Sequence, residues 1–437
     1  VDITKKLGNG DKFIIDTFYE NNYEAFMVGG CIRDFLLSKE PKDYDIATSA
    51  LPNITESLFE KTIPTGIKHG TITVLLDKEP FEVTTYRIEG EYKDNRRPDE
   101  ISFVTNIKDD LSRRDFTINA FAYNSKEGLK DYFNGLEDLQ NKIIRTVGDS
   151  NKRFNEDALR MMRAIRFASQ LDFNIEKSTL DGIKKNKNLL KNISSERIRD
   201  ELCKLLLSDN PRKGLNLLKD CGVLDVIIPE LTSLIGFNHK TKDYNEDLFD
   251  HTLSVVENTP NDLILRLSAL FHDIGKPKVN DNISEDITRK ILTRLHFDNK
   301  TIKSVCILIK EYMNVLGNST DIDIKRFINR TSKENIYSLL EFQKAHVLSL
   351  KNSDLDLYEL NDIKNKIDNI INSNIPLSIK DLNIDGSILT KELNLKPGKV
   401  IGETLNYLLE VVLNNPNLNN ETILLEKAKT FIQNKKG

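Results

Sequence analysis

The chain has 437 residues, more than one hydrophobic core accommodates, so two to four domains are expected. Hydrophobic residues at 39% and charged residues at 30% give the balance of an ordinary water-soluble protein rich in charge. A net charge of −4 excludes a surface that is basic all over, so any face for nucleic acid has to be local.

Taken in order, the helical spacing of Phe13, Ile14, Thr17 and Phe18 predicts a first helix over 11–22. The stretch 26–47, FMVGGCIRDFLLSKEPKDYDIA, organises the rest of the chain. Phe26-Met27-Val28 has strand character, Gly29-Gly30 turns the chain, and Cys31 to Leu37 reads as a helix. The glycines let the backbone approach a ligand closely, the helix start offers N–H groups to an anion, and Arg33 can reach phosphate. After a turn at Pro41, Asp43-Tyr44-Asp45-Ile46 reads as a strand, and residues two apart share a face, so Asp43 and Asp45 project together. Paired carboxylates beside a phosphate site are what Mg²⁺ needs for phosphoryl or nucleotidyl transfer. A GG turn or a D-x-D is commonplace alone; one strand–helix–strand unit holding both points to chemistry.

Further strands are predicted at 69–76 and 81–86, the second placing Glu82, Thr84 and Tyr86 on one face. The segment 87–100, RIEGEYKDNRRPDE, reads as a charged functional loop carrying Glu91, Asp94, Arg96 and Arg97. Strand signals recur at 122–124 and 129–132, and from about residue 150 helical periodicity takes over. The expected architecture is therefore a small α/β head followed by a long helical body.

Two more clusters carry chemistry. In SRRDFTINA, 112–120, Asp115 reads as the N-cap of a helix behind two arginines. In EDALRMMRAIRF, 156–167, one helix would place Asp157, Arg160, Arg163 and Arg166 on a polar stripe, with Leu159, Met162 and Phe167 packed behind. An ordinary surface helix braced by pairs such as Glu156–Arg160 would explain part of this. Three arginines against two acids nevertheless leave the stripe net positive, and arginine suits planar recognition of bases and phosphates.

The ordered set GGxxRD, DYDIAT, RRDFTINA, DYFNGLEDLxxxxIR and EDALRMMRAIRF resembles the class II tRNA nucleotidyltransferases, the CCA-adding enzymes, over about residues 20–172, and more loosely beyond. The resemblance implies an α+β fold: a polymerase-β-like head with a mixed or antiparallel sheet and helices, then an elongated all-helical neck, body and tail. The corresponding domains are a catalytic head at 1–149, a neck with the nucleotide-template helix at 150–210, a body at 211–315 and a tRNA-binding tail at 316–437. It implies that Asp43 and Asp45 hold catalytic Mg²⁺. Glu82 is added as a third carboxylate from its strand position. Gly29, Gly30, Arg33 and Arg114 would meet the triphosphate, Asp157 and Arg160 would read the base, and Arg163 and Arg166 would complete the pocket. The implied substrates are CTP and ATP, the partner tRNA at its 3′ end and elbow, with basic residues 184–191 and Arg197–Arg199 feeding the RNA surface. Poly(A) polymerases share most of these motifs, so addition of A only, of CC only, or of a poly(A) tail are the alternatives, beside an RNA-binding protein with an inactive head. The loop at 87–100 favours complete CCA, because relatives that add only CC tend to lack part of it.

A carboxylate beside a guanidinium is chemically sufficient to choose the base. Cytosine and adenine both present an amine donor beside a ring-nitrogen acceptor, which a carboxylate and a guanidinium match. Uracil and guanine present the reverse.

The segment FHDIGKP at 271–277, with His251 upstream, resembles an HD-type metal phosphohydrolase. No histidine follows Lys276 where that family offers one, and KEYM at 310–313 lacks one too, so a degenerate, structural HD relic without hydrolase activity is expected. The cysteines Cys31, Cys203, Cys221 and Cys306 lie far apart with no C-x-x-C pair, which favours reduced thiols over a disulfide framework. The opening VDITKKLGNGDK lacks an apolar signal core, and even LILRLSALF at 263–271 contains Arg266, so a cytoplasmic protein without a membrane partner is expected.

Overall fold

Strand β1 (Ala25–Val28) is buried at every position, which is why it reads as an unbroken apolar run rather than an alternation. In a computed structural model of the chain, describing residues 8–41, 43–90, 101–238, 247–278, 283–314, 319–350, 354–396 and 398–436, β1 sits inside a seven-stranded sheet. The sheet has the order β3-β4-β5-β2-β1-β8-β9. The other strands are β2 (Asp45–Thr48), β3 (Thr62–Gly66), β4 (Thr71–Leu76), β5 (Glu79–Thr85), β8 (Phe121–Asn124) and β9 (Gly128–Asp131). All neighbours are antiparallel except β2 and β5, so the sheet is mixed.

Successive residues of β1 feed opposite faces. Met27 packs with Ile14, Phe18, Ile32 and Val83 beneath helices α1 (Asn9–Glu20) and α2 (Gly30–Leu36). Phe26 and Val28 pack with Tyr86 and with Ile107 and Leu111 of α4 (Ile107–Ser112). Both faces are therefore covered, and α3 (Pro52–Leu58) lies against β4 and β5.

Several expectations need correcting. The first helix runs from Asn9, two residues earlier than its apolar spacing suggests, because Gly8 and Asp11 form the start. Strand β3 was not foreseen; it is mostly exposed and holds Pro64, which only an edge strand tolerates. The ends of the charged segment are not loop: β6 (Arg87–Glu89) pairs with β7 (Ile101–Phe103) as an antiparallel ribbon. Glu91, Asp94, Arg96 and Arg97 lie outside the described residues.

After α5 (Gly135–Gln140), a two-residue parallel pair joins β10 (Ile143–Ile144) to β11 (Asn174–Ile175). Between them run α6 (Ser150–Glu156) and α7 (Leu159–Leu171). Then come α8 (Lys177–Asn186), α9 (Ser195–Leu206), α10 (Pro211–Asp220) and α11 (Leu224–Ile227), with α7 packed on both α9 and α10.

The chain divides into two units, Val1–Thr232 and Ser233–Gly437. The described residues of the second contain helices and no strand: α12 (Leu248–Asn258), α13 (Leu263–Phe271), α14 (Ile283–Arg294), α15 (Asn299–Glu311), α16 (Asp321–Thr331), α17 (Ile336–Leu348), α18 (Asp354–Asn372) and three more towards the end. There, α13 packs against α12, α15 and α17. Among the described residues no helix is long and apolar enough to cross a membrane.

One glycine is dictated by the turn between β1 and α2. Gly29 has φ +82° and ψ −136°, a region closed to side chains, and a Cβ there would lie 2.6 Å from Arg114 Nη1. Gly29→Ala is expected to cost on the order of 1–3 kcal/mol in urea unfolding, and to displace Arg114. An unchanged unfolding midpoint would refute that account.

Candidate active site

Parallel pairing of β2 with β5 sets the register Asp45↔Glu82, so the two carboxylates stand side by side on neighbouring strands. Asp43 precedes β2 and lines the same cavity, of about 1100 Å³, with Asp11 at its wall. Burial raises the pKa of Asp45; the Arg114 guanidinium pulls it back, and the negative charge of Asp43 adds to the rise. Two carboxylates that oppose each other's ionisation form a site that a divalent cation relieves.

Two further cavities open from Asp45. One of about 730 Å³ is lined by Gly29, Gly30, Arg33, Asp43, Arg114, Arg163 and Arg166. The other, of about 420 Å³, is lined by Glu82, Arg114, Asp157, Arg160, Arg163 and Arg197. Every site residue expected from the sequence lines at least one of the three, and Asp45 lines all of them.

The expected anion site at the glycine turn is narrower than anticipated, because the Gly29 N–H already donates to Phe121 O at 3.1 Å. Positive charge is supplied by side chains instead. Arg33, Arg163 and Arg166 gather round the Phe167 ring, with guanidinium carbons 5.0, 5.4 and 4.0 Å from its centroid.

The arginine stripe departs from expectation in two ways. Asp157 is not on the helix: α6 ends at Glu156, α7 begins at Leu159, and Asp157 between them is extended at φ −137°, ψ 105°. Its carboxylate accepts the Leu159 N–H at 3.0 Å, a local bond that competes with helical continuation. The stripe is also not an unbalanced positive surface. Arg160 pairs with Glu156 at 2.7 Å and donates to Arg113 O; Arg163 pairs with Asp115 at 2.6 Å; Arg166 pairs with Glu201 at 2.6 Å. Such buried guanidiniums require partners, and sequence neighbours supply only one of them.

Asp115 is not a helix N-cap. The helix after it is a short 3₁₀ turn at Thr117–Asn119, with Phe116 at its start. One oxygen of Asp115 accepts from the Phe116 N–H at 2.8 Å and the Asn119 amide at 3.1 Å, while the other takes Arg163. The Asn119 side-chain carbonyl oxygen in turn accepts from Arg33 at 2.7 Å, so Arg33, Asn119, Asp115 and Arg163 form one chain of bonds. Arg197, expected on an RNA surface, points into the site and grips Asp157 with two bonds, 2.7 and 3.3 Å. Asn119, Glu201 and Arg197 were missed as site residues. Their spacing in the sequence carries no signal until α9 packs against α7.

A second polar cluster lies in the other unit. His251 of α12 and His272–Asp273 after α13 come together as expected, and His346 of α17 joins them. Burial, reinforced by the neighbouring His272, pulls His251 down to about 2 and His346 to about 3, so both are neutral. His346 was missed because it arrives from far along the chain.

A mixed sheet with covered faces, paired strand-end carboxylates and a neighbouring guanidinium pocket is the plan of a nucleotidyltransferase head. Residues 25–145 match the family model described as "Poly A polymerase head domain", and 279–428 match one for domain 2 of tRNA nucleotidyltransferases. The CCA-adding enzyme of Ligilactobacillus salivarius is 37% identical over 97% of this chain and 96% of its own length. That of Staphylococcus aureus is 33% identical over 96% and 97%. The structure of the Bacillus stearothermophilus CCA-adding enzyme in complex with CTP matches with TM-score 0.72 at 27% identity, over 97% of this chain and 98% of that one. The chain belongs to the CCA-adding enzyme family, a family of tRNA nucleotidyltransferases.

The Asp115–Arg163 pair has a pH signature. Burial alone would raise the Asp115 carboxyl, but Arg163, with Asn119 and Arg160, more than offsets it and holds the pKa down to about 2 against an ordinary 3.8. A folded pKa below the unfolded one stabilises wherever the unfolded carboxyl is already ionised. The contribution, roughly 2 kcal/mol for such a shift, is present above pH 4 or so and is lost as pH falls towards about 2. Asp115→Asn should therefore lower the urea midpoint at neutral pH, with the gap from the parent closing on acidification. A gap that stayed constant with pH would show that the pair is not the cause.

Proposed function

We propose that the chain adds the sequence CCA to the 3′ end of tRNA from CTP and ATP without a nucleic-acid template. The observation that carries this is the junction at Asp45, where the carboxylate pair, the arginine pocket and the Asp157–Arg160 edge open into one another. The names of the full-length relatives support it, as does the CTP-bound state of the Bacillus stearothermophilus structure.

Asp43 and Asp45, with Glu82 beside them, are suited to Mg²⁺: hard oxygen donors whose mutual repulsion a divalent charge would relieve. Bound there, the metal supplies Lewis-acid stabilisation of charge on the reacting phosphate and the attacking hydroxyl. The remaining work falls to the chain's own side chains. Arg33, Arg114, Arg163 and Arg166 hold the triphosphate in the larger arginine-lined cavity, where Gly29 and Gly30 let it lie against the backbone. Asp157 accepts from the exocyclic amine of the base and Arg160 donates to its ring nitrogen, both across the smaller cavity. Arg197 keeps the Asp157 carboxylate aimed and ionised. Arg160, anchored by Glu156 and by Arg113 O, offers its guanidinium in a fixed plane. The pattern fits cytosine and adenine alike and leaves uracil or guanine with donors facing donors.

On this reading tRNA is held beyond the reacting 3′ end by the helical tail at 316–437, and the protein works in the cytoplasm. The ribbon of β6 and β7 forms the base of the charged segment that the larger purine requires to be moved.

The reading is tested with tRNA transcripts ending at the discriminator base, given CTP and ATP together. A three-nucleotide extension is expected; no cytidine addition, or a long ladder of adenylates, would overturn it. Asp43→Ala and Asp45→Ala should each reduce incorporation by on the order of 10³-fold or more, with tRNA binding by gel shift nearly intact. Substantial activity in either would remove the pair from the reaction.

Asp157→Ala and Arg160→Ala should relax discrimination against UTP and GTP by about 10–100-fold, the scale of one unsatisfied buried group. Equal loss with all four nucleotides would instead assign these residues a purely structural part.

A further inference from the structure

The polar cluster of the helical unit has no part in nucleotide transfer, yet it is among the most deeply buried groups of ionisable side chains in the protein. His272 and Asp273 are essentially inaccessible and His251 nearly so. The hydrogen bonds assign the imidazole tautomers. His272 Nδ1–H donates to the Ala269 carbonyl at 2.7 Å, leaving a lone pair on Nε2. The Ser349 hydroxyl donates to the His346 carbonyl at 2.6 Å, so it accepts from His251 Nδ1–H, and the His251 lone pair also sits on Nε2. These two Nε2 atoms lie 3.4 Å apart, and Asp273 Oδ2 is 3.1 Å from one and 3.8 Å from the other. Three acceptor atoms thus converge on one point, with a nitrogen of His346 completing a group in which the three histidines' ligand atoms lie within 4.8 Å of one another.

That spacing is the edge of a coordination tetrahedron. Ligand distances of about 2.0–2.1 Å place neighbouring nitrogens about 3.4 Å apart. The outer contacts are those a metal site uses: a backbone carbonyl on one imidazole, a hydroxyl on another, and Tyr312 OH on Asp273 Oδ1 at 2.8 Å. We propose that His251, His272, His346 and Asp273 bind a single divalent transition ion of zinc chemistry, which pins α12, α13 and α17 together.

Four protein ligands in a buried setting close the coordination sphere, which suits a structural ion; hydrolysis needs an open position for water. Lys276 sets the affinity. Its ammonium donates to the same Asp273 oxygen at 2.8 Å, so the ion competes with it for that lone pair.

The test uses the full chain, dialysed against chelator and titrated with Co²⁺ and Zn²⁺. Expected are the intense visible bands of tetrahedral cobalt at one equivalent, bleached by zinc, and unchanged in Asp43→Ala, which separates this site from the carboxylates of the head. Zinc at about a hundred times its Kd should raise the melting temperature of the helical unit by roughly 5–10 °C. His346→Ala should abolish the bands. Lys276→Ala should tighten cobalt binding by roughly tenfold, the scale of one neighbouring like charge removed. No tetrahedral spectrum in the parent, a spectrum that survives His346→Ala, or weaker binding in Lys276→Ala would overturn the proposal.

Discussion

The carboxylate of Asp115 is the tie on which the site depends. It comes just after the paired arginines at the end of α4, accepts four bonds, and fastens Arg163 of α7 to the sheet-bearing part of the first unit. A pocket that attracts triphosphate must concentrate guanidinium charge, and buried guanidinium charge without a partner is costly. The protein meets both demands by giving each arginine of α7 its own acid: Glu156, Asp115 and Glu201. The guanidiniums are thereby held flat and fixed around Phe167, ready for a planar ligand rather than free to collapse on each other.

The opposite electrostatic problem is posed at the carboxylates. Asp45 faces Asp43 across a partly desolvated cavity, beside Glu82, and only Arg114 offsets the repulsion at Asp45. Arg114 touches both halves of the site, because it lines the two arginine-rich cavities and fills the space that a side chain on Gly29 would need. The glycine at that turn is therefore as much a matter of room for a guanidinium as of backbone conformation.

The helical unit contains a third arrangement of buried charge. Asp273, wholly enclosed, is compensated by Lys276, Tyr312 and two imidazoles. Its pKa stays well below the usual carboxylate range, because His272 and Lys276 outweigh the burial that would raise it. Such a group survives in an apolar helical core only when every lone pair is accounted for.

Local pattern alone was enough for β1, the glycine turn, the D-x-D strand, β4, β5, β8 and β9, since apolar runs and glycine placement report on backbone within a few residues. It was also enough for the site's membership, because eleven residues, from four short motifs and one strand position, all line the same group of cavities. What it could not decide was pairing. That Asp45 stands beside Glu82 depends on two strands running parallel, against the antiparallel rule of their neighbours. That Asp157 leaves the helix depends on Arg197, forty residues on, and on the Leu159 amide it caps. That Asp115 serves Arg163 rather than a helix end depends on α7 lying over the 3₁₀ turn. His346 joined its cluster the same way, through the packing of α17 on α12 and α13. Sequence spacing specifies which side chains share a face; which charge neutralises which is settled only when distant elements exclude water between them.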